Sequence, residues 1–196
     1  MSIVHFITHP EVVIDPAMPV PDWPLSPLGR KRMGRAVLAQ PWLHDVRALF
    51  SSTERKARDA AVIIAEHLCL HPIVIEGLGE NDRSATGYLP RPEFEAVADE
   101  FFARPEESVR GWERAADAQR RIVAAVQYAI AQAPNEGDIA IVSHGGVGAL
   151  FLCHLKGVPI ARTEDQPGDG GGCVYSFDTA NWRLLRGWRR IEDGAL

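Results

Sequence analysis

The chain has 196 residues, 46% of them hydrophobic and 24% charged, which is enough for one sizeable core and predicts a single domain over residues 1–196. Its net charge of −5, without a dense run of Lys and Arg, argues against nucleic acid as a partner. No signal-peptide pattern opens the chain and no uncharged apolar run approaches about 20 residues, so we expect a cytoplasmic protein that does not associate with a membrane.

Strand-like and helix-like patterns alternate along the first half of the chain. An apolar strand starting at Ile3 leads into a Pro-rich loop and a helix over residues 28–40, for which Ser26 is the expected N-cap and Pro27 the first helical residue. A strand over residues 46–50, a helix over 54–70 and a strand over 72–75 follow. The segment 78–92 is rich in Gly, Pro, Asn, Asp and Ser and predicts a long loop, of a kind that often carries function.

The second half continues the alternation and ends in strands. Two helices are predicted over residues 93–103 and 112–133, then a strand over 139–143, a buried helix over 146–155 and an antiparallel hairpin over 173–177 and 183–188. The order predicts an α/β fold, a three-layer α/β/α sandwich around a mostly parallel central sheet.

Two histidines stand where predicted strands end. His9 follows the run Ile3–Thr8, and His144 follows the run Ile139–Ser143. The carboxyl ends of parallel strands meet at one edge of a sheet, where open α/β sheets bind ligands. The sequence therefore predicts a site that contains both histidines.

Five short motifs occur in an order that is specific as a set. They are the histidine after the first strand, the turn Pro24–Gly29, the pair Ser51-Ser52 with a basic residue and Ala57 after it, Leu78-Gly79-Glu80, and Ser143-His144-Gly145. Together they resemble the histidine phosphatase superfamily, also called phosphoglycerate mutase-like, over Ile3 to about Leu155. The resemblance implies a phosphoglycerate mutase-like fold and transfer of the phosphoryl group of a small phosphorylated substrate through a phosphohistidine, with neither a metal nor a cofactor.

The resemblance also implies roles for three residues. His9 takes the position of the nucleophile, and a neutral imidazole suits that role because its reference pKa is about 6.5. His144 takes the position of a donor to the phosphate oxygens. Glu80 takes the position of the acid that protonates the leaving alcohol and then activates water, for which its pKa must be raised.

The phosphate-binding residues depart from the family pattern. Thr8 stands where the family has an arginine, Pro10 replaces a glycine, and Lys56 replaces a second arginine. Lysine offers phosphate one compact charge and threonine only a hydroxyl, whereas arginine offers a bidentate fork. We expect Thr8 and Lys56 to bind substrate nonetheless, with Arg83 as a replacement guanidinium.

These departures leave two functions open. One is a phosphatase that the loss of an arginine contact slows by about two to three powers of ten. The other is a catalytically degenerate member that binds a phosphorylated ligand or a protein partner. A mutase is less favoured because mutases of this superfamily generally carry longer insertions. The five tryptophans supply large apolar surfaces that could serve the core or a homodimer contact.

Three further features have structural interpretations. His5 is predicted to be a packed histidine, and the three widely spaced cysteines to be reduced and mostly buried. Gly145 and Gly146 are predicted to let phosphate approach the N-terminus of a helix.

Overall fold

A computed structural model describes residues 2–193, whose strands form one sheet. The strands are β1 (Ile3–Thr8), β2 (Val46–Ser51), β3 (Ile73–Val74), β4 (Asp138–Ser143), β5 (Cys173–Asp178) and β6 (Leu184–Arg190). Their order across the sheet is β3-β2-β4-β1-β5-β6. The first four are mutually parallel, β5 is antiparallel to β1, and β6 is antiparallel to β5. The prediction of a mostly parallel sheet with a closing hairpin is confirmed.

Helices cover both faces of this sheet. They are α1 (Pro27–Ala39), α2 (Arg55–Leu68), α3 (Arg91–Ala103), α4 (Ala115–Gln132) and α5 (Gly145–Lys156). On one face, α1 and α2 bury a cluster that includes Met33, Ala61 and Ile64; on the other, α3, α4 and α5 bury a cluster that includes Phe101 and Phe151. The three-layer α/β/α prediction is therefore confirmed. No helix within residues 2–193 combines the length and the apolar character needed to cross a membrane.

Local sequence sets most of the element boundaries. The Ser26 hydroxyl accepts from the backbone N–H of Gly29 at 3.0 Å and Pro27 is the first residue of α1, as predicted. The strand predicted over residues 72–75 is shorter than expected, because β3 lies at the sheet edge. There the side chains of Ile73 and Val74 are about half exposed, 49% and 48%.

The packed role predicted for His5 is confirmed. Its ring stacks on Trp42 with the centroids 4.0 Å apart, and its Nδ1 lies 2.9 Å from the hydroxyl of Ser176. Its Nε2 lies 3.5 Å from a carboxylate oxygen of Asp138. Two of the three cysteines, Cys153 and Cys173, are buried, and Cys69 is exposed; all three are free thiols.

The strand order determines which loops meet. Because β4 lies between β1 and β2, the residues that follow these three parallel strands come together at one edge of the sheet. Those residues are His9 after β1, Ser52 after β2 and His144 after β4.

Candidate active site

His9 is held by its backbone and by one ring nitrogen. Its N–H donates to the carbonyl of Ser143 at 3.2 Å, and its own carbonyl accepts from Gly172 at 3.0 Å. Nδ1 donates to the carbonyl of Pro10 at 2.8 Å, which fixes the proton on that nitrogen. Burial, with a further effect of the Lys56 charge, lowers the pKa of His9 to about 4. The ring is therefore neutral near pH 7 and keeps a lone pair on Nε2.

His144 lies beside His9 and is fully buried. The two ring centroids are 5.2 Å apart, with an angle of 67° between the ring planes. His144 Nε2 lies 2.7 Å from the Ser52 hydroxyl and 3.5 Å from Oε1 of Glu54, whereas Nδ1 has no partner within residues 2–193. Burial lowers the pKa of His144 well below its ordinary value. A buried nitrogen without a partner is uncommon, and it marks a place where a bound group can supply one.

Glu80 sits at the N-terminus of α5. Its Oε1 accepts from the backbone N–H groups of Val147 at 2.9 Å and Asn81 at 3.1 Å, and its Oε2 accepts from Gly146 at 3.1 Å. Burial raises the pKa of Glu80 and the nearby Glu54 carboxylate raises it further, although the Arg83 charge and the amide hydrogen bonds oppose this. Gly146, one of the two glycines predicted to let phosphate approach α5, also makes room for this carboxylate. A Cβ there would lie 2.7 Å from Glu80 Oε1.

One arginine of α4 holds the segment that carries Glu80. Nη1 of Arg121 donates to the carbonyls of Gly77 and Gly79, both at 2.9 Å, and Nη2 donates to the carbonyl of Glu80 at 3.1 Å. The same guanidinium pairs with Glu113 at 2.7 Å. The end of a short 3-10 helix (Glu76–Leu78) and the loop after it are thereby fixed against α4, which gives the Glu80 carboxyl a defined position.

Lys56 is buried in an ion pair with Glu54. Its ammonium donates to the Glu54 carboxylate and, at 2.9 Å, to the carbonyl of Val20. Burial would raise the pKa of Glu54, but the neighbouring His144, the charge and hydrogen bond of the Lys56 ammonium, and a 2.7 Å hydrogen bond from the N–H of Glu80 hold it at about 2. Lys56 therefore lies close enough to affect both histidines, but Glu54 compensates its charge.

Thr8 contacts the site through another side chain. Its hydroxyl donates to Oε1 of Gln166 at 2.6 Å and accepts from the backbone N–H of Cys173 at 2.9 Å. This places the amide nitrogen of Gln166 over the first residue of α5, where a Cβ on Gly145 would lie only 2.3 Å from it. The glycine at position 145 thus accommodates a carboxamide donor.

A cavity of about 170 Å³ joins these groups. Its wall contains the polar residues His9, Glu80, Asn81, Arg83 and Gln166. Side chains of α3, the first two residues of α5 and residues of the neighbouring loops complete the wall. The Arg83 guanidinium lies 4.9 Å from the centre of the Phe94 ring, and the buried Nδ2 of Asn81 has no partner in the described part of the chain. The cavity thus brings together one free imidazole nitrogen, two carboxyls and four potential donors to an anion, since Asp165 and Arg162 line it as well.

The structure separates the six predicted site residues into two groups. His9, Glu80 and Arg83 line the cavity; Thr8, Lys56 and His144 do not, although each contacts or affects a group that does. Sequence reasoning missed Glu54 and Gln166; it expected the loop that starts at Asn81 to line the substrate side of the pocket but gave Asn81 no role of its own. Of the two missed residues, only Glu54 could have been found from the sequence, because it is an acidic residue two positions before Lys56 in the motif that starts with Ser51-Ser52. Within residues 2–193, no group of three or more His, Cys, Asp or Glu side chains is arranged to hold a metal ion.

Comparison with known proteins identifies the family. A family model described as histidine phosphatase superfamily (branch 1) matches residues 16–187, a range that begins after His9. No sequence among curated proteins matches the chain.

Solved structures share the fold at low sequence identity. The mycobacterial glucosyl-3-phosphoglycerate phosphatase Rv2419c with inorganic phosphate has a TM-score of 0.76 and 20% identity, over 99% of this chain and 100% of that one. Bacillus stearothermophilus YhfR has a TM-score of 0.78 and 22% identity, over 100% and 98%. Entamoeba histolytica phosphoserine phosphatase, in complex with 3-phosphoglyceric acid, has a TM-score of 0.71 and 15% identity, over 98% and 100%. The match over residues 16–187 shows that the chain belongs to the histidine phosphatase superfamily, as its five motifs indicated, and its α/β/α sandwich is phosphoglycerate mutase-like.

Proposed function

We propose that this protein is a phosphatase that hydrolyses a small phosphomonoester through a phosphohistidine at His9. One observation supports this most directly. Two neighbouring imidazoles each keep one nitrogen without a partner among the described residues, Nε2 of His9 and Nδ1 of His144, beside a carboxyl with a raised pKa. A nucleophile, a donor and a proton carrier are the three groups that this reaction needs.

In the first step, the lone pair of His9 Nε2 attacks phosphorus. The N–P bond forms while the bond from phosphorus to the ester oxygen breaks, and protonated Glu80 gives its proton to that oxygen. The hydrogen bond from Nδ1 to the Pro10 carbonyl stabilises the positive charge that develops on the ring.

In the second step, water attacks the phosphorus of phosphohistidine. The Glu80 carboxylate takes a proton from the water as the P–O bond forms, and the N–P bond breaks to return neutral His9. Glu80 is then protonated again and ready for the next ester. Its burial favours the protonated form that the first step requires, because burial disfavours the charged form and raises the pKa of Glu80.

The phosphoryl oxygens require donors, and few of those in this site are charged. In the proposed mechanism the Ser52 hydroxyl donates to Nε2 of His144, so that His144 carries its proton on Nδ1 and donates it to a phosphoryl oxygen. Arg83 supplies a guanidinium, and the amides of Asn81 and Gln166 supply neutral donors from the cavity wall. Because the Lys56 charge is balanced by Glu54, we expect a slower reaction than with two arginines.

Mass spectrometry under a mildly alkaline quench tests this mechanism. The protein is incubated with a panel of phosphomonoesters, and we expect an acid-labile phosphate on His9 together with release of inorganic phosphate. Replacing His9 by Ala is expected to abolish both, whereas replacing the exposed His71 by Gln is a matched control that leaves both unchanged. Release that persists at the original rate in the His9 variant would contradict the mechanism.

A second function is favoured by the Lys56–Glu54 ion pair. A buried carboxylate next to His144 lowers the positive charge available to a phosphoryl group, which suits a protein that holds a phosphorylated ligand or a protein partner without turnover. Calorimetric binding of inorganic phosphate to folded protein that forms no adduct and releases no phosphate would support this alternative.

A further inference from the structure

A second cavity, of about 400 Å³, adjoins the site. It shares Arg83, Phe94, Arg162, Asp165 and Gln166 with the 170 Å³ cavity that contains His9 and Glu80. Its volume lies in the range of pockets that bind small organic molecules. A phosphate ester bound at His9 would extend its alcohol portion across the shared residues into this cavity, so the walls of the larger cavity select the alcohol.

Apolar and aromatic side chains form much of this wall. The wall contains the side chains of Ile14, Val20, Trp23, Tyr88, Leu89 and Phe94. The Trp23 and Tyr88 rings lie 5.9 Å apart at 58°, and Trp23 is only 6% exposed. Two carbonyls of the preceding loop accept from its Nε1, at 2.9 and 3.1 Å. This aromatic surface is therefore held in place before any ligand binds.

Charged groups of the larger cavity are balanced. Its three arginines are matched by the three carboxylates of Glu95, Asp165 and Asp169. Arg91 pairs with Asp169 at 2.5 Å, and Arg162 pairs with Glu95 and, at 3.8 Å, with Asp165. Arg83 forms no ion pair within residues 2–193, and it also lines the cavity of His9. With Arg83 engaged by the phosphoryl group, as in the proposed mechanism, a second anionic group on a substrate would meet two paired arginines and three carboxylates.

We propose that the alcohol portion of the substrate is an uncharged, ring-bearing, predominantly apolar group, and that esters carrying a carboxylate are poor ligands. This inference rests on the proposed phosphatase site and specifies its substrate class. This substrate class differs from the phosphoglycerate compounds of two structural neighbours. One neighbour is named as a glucosyl-3-phosphoglycerate phosphatase, and the other is in complex with 3-phosphoglyceric acid.

Steady-state hydrolysis of three esters tests the preference. The esters are 2-phenylethyl phosphate, glycerol 3-phosphate and 3-phosphoglycerate, all of which release an alcohol. Burial of a phenyl ring predicts a kcat/KM about 30-fold higher for the phenylethyl ester than for glycerol 3-phosphate, with 3-phosphoglycerate lowest. A kcat/KM for 3-phosphoglycerate equal to or above that of the phenylethyl ester overturns the proposal.

Tyr88 provides a matched pair of variants. Replacing Tyr88 by Ala is expected to raise KM for the phenylethyl ester about tenfold with little change in kcat, because the ring contributes equally to ground-state and transition-state binding. Replacing it by Phe keeps the ring and is expected to preserve KM. The ratio of kcat/KM for the phenylethyl ester to kcat/KM for glycerol 3-phosphate is expected to fall about tenfold in the Tyr88→Ala variant, whereas replacing the exposed His71 by Gln is expected to leave this ratio unchanged.

Binding of phosphonates separates this inference from the proposed function. 3-Phenylpropylphosphonate and 3-phosphonopropionate have no hydrolysable ester, and calorimetry on the wild-type protein gives a Kd for each. Binding of the phenyl compound that is at least about tenfold tighter supports the proposed substrate class. If the phenyl compound binds in this way but no ester is hydrolysed, the phosphatase proposal fails and the proposed ligand class stands. Equal or tighter binding of the carboxylate compound overturns the class whether or not hydrolysis occurs.

Discussion

Replacing Gln166 by Ala tests whether an amide has taken over part of an arginine's role. The Thr8 hydroxyl, 2.6 Å from Oε1, orients the carboxamide so that its nitrogen lies over Gly145 at the start of α5. If that nitrogen donates to a phosphoryl oxygen in the transition state, its loss is expected to lower kcat by about 10²–10³. Stability is expected to fall by only about 1 kcal/mol, because one hydrogen bond is lost and Thr8 keeps its contacts with Cys173.

A second variant separates orientation from structure. Thr8→Val leaves Gln166 unoriented and deprives the buried N–H of Cys173 of its acceptor, which is expected to cost about 1–3 kcal/mol in the free energy of unfolding. Because Thr8 acts on catalysis through Gln166, Thr8→Val combined with Gln166→Ala is expected to have the kcat of Gln166→Ala alone. Single-turnover kinetics and urea unfolding of the two single variants and the double variant measure both quantities.

Two further variants complete the experiment. Gln166→Glu has nearly the same shape but places a carboxylate beside the phosphate, so its kcat is expected to be below that of Gln166→Ala. Gln127→Ala, on the exposed face of α4, is the control and is expected to match the wild type. A kcat for Gln166→Ala within about threefold of wild type, well short of the loss of one donor, would refute the assigned role.

Three other predictions concern the buried charges. Lys56→Met is expected to lower stability by about 3–5 kcal/mol because it leaves the Glu54 carboxylate buried and unpaired, and Lys56→Met with Glu54→Leu is expected to recover most of this in urea unfolding. The pKa of His9 is about 4 in the folded protein and 6.5 ordinarily, so the unfolded chain takes up the proton first as pH falls. The free energy of unfolding is therefore expected to decrease as pH drops from 6.5 towards 4, and His9→Asn is expected to remove this decrease from a pH-dependent unfolding curve. Glu80→Gln is expected to slow hydrolysis of alkyl phosphates about 10²–10⁴-fold and of nitrophenyl phosphate far less, since that leaving group needs no proton, and comparison of the two kcat values measures the difference.

Much of the fold was predictable because its signals are local. The hydroxyl of Ser26 and the ring of Pro27 start α1 from adjacent positions in the chain. Apolar residues at helical spacing similarly predict α2, whose buried Ala57, Ala61 and Ile64 lie on one face. The length of β3 was not predictable from Ile73 and Val74, because β-branched residues favour strands and only the strand order shows that these two lie at an edge.

The candidate site was predictable in part, for the same reason. His9 and His144 each come directly after a strand, so their positions in the sequence already indicate that they lie at a common edge of the sheet. The partners of Lys56 and Thr8 were not predictable. Lys56 turns to a carboxylate two residues before it rather than to the cavity, and the hydroxyl of Thr8 meets an amide 158 residues later in a loop without periodicity. Contacts of that kind depend on tertiary structure that composition and spacing do not encode.

The loop that carries Gln166 is held in place by a residue far from it in the sequence, and this affects the order in which the site forms. Arg32 of α1 donates to the carbonyls of Gly170 and Gly171, each at 3.0 Å, and to the carboxylate of Glu192, and so ties this loop to the first helix. During synthesis, His9 emerges long before the residues that surround it. A nascent chain that stops short of Gly172 lacks both the donor to the His9 carbonyl and the loop that Arg32 secures. The candidate site is therefore assembled late, and a ribosome-bound fragment is expected to contain His9, the proposed nucleophile, without the groups that surround it.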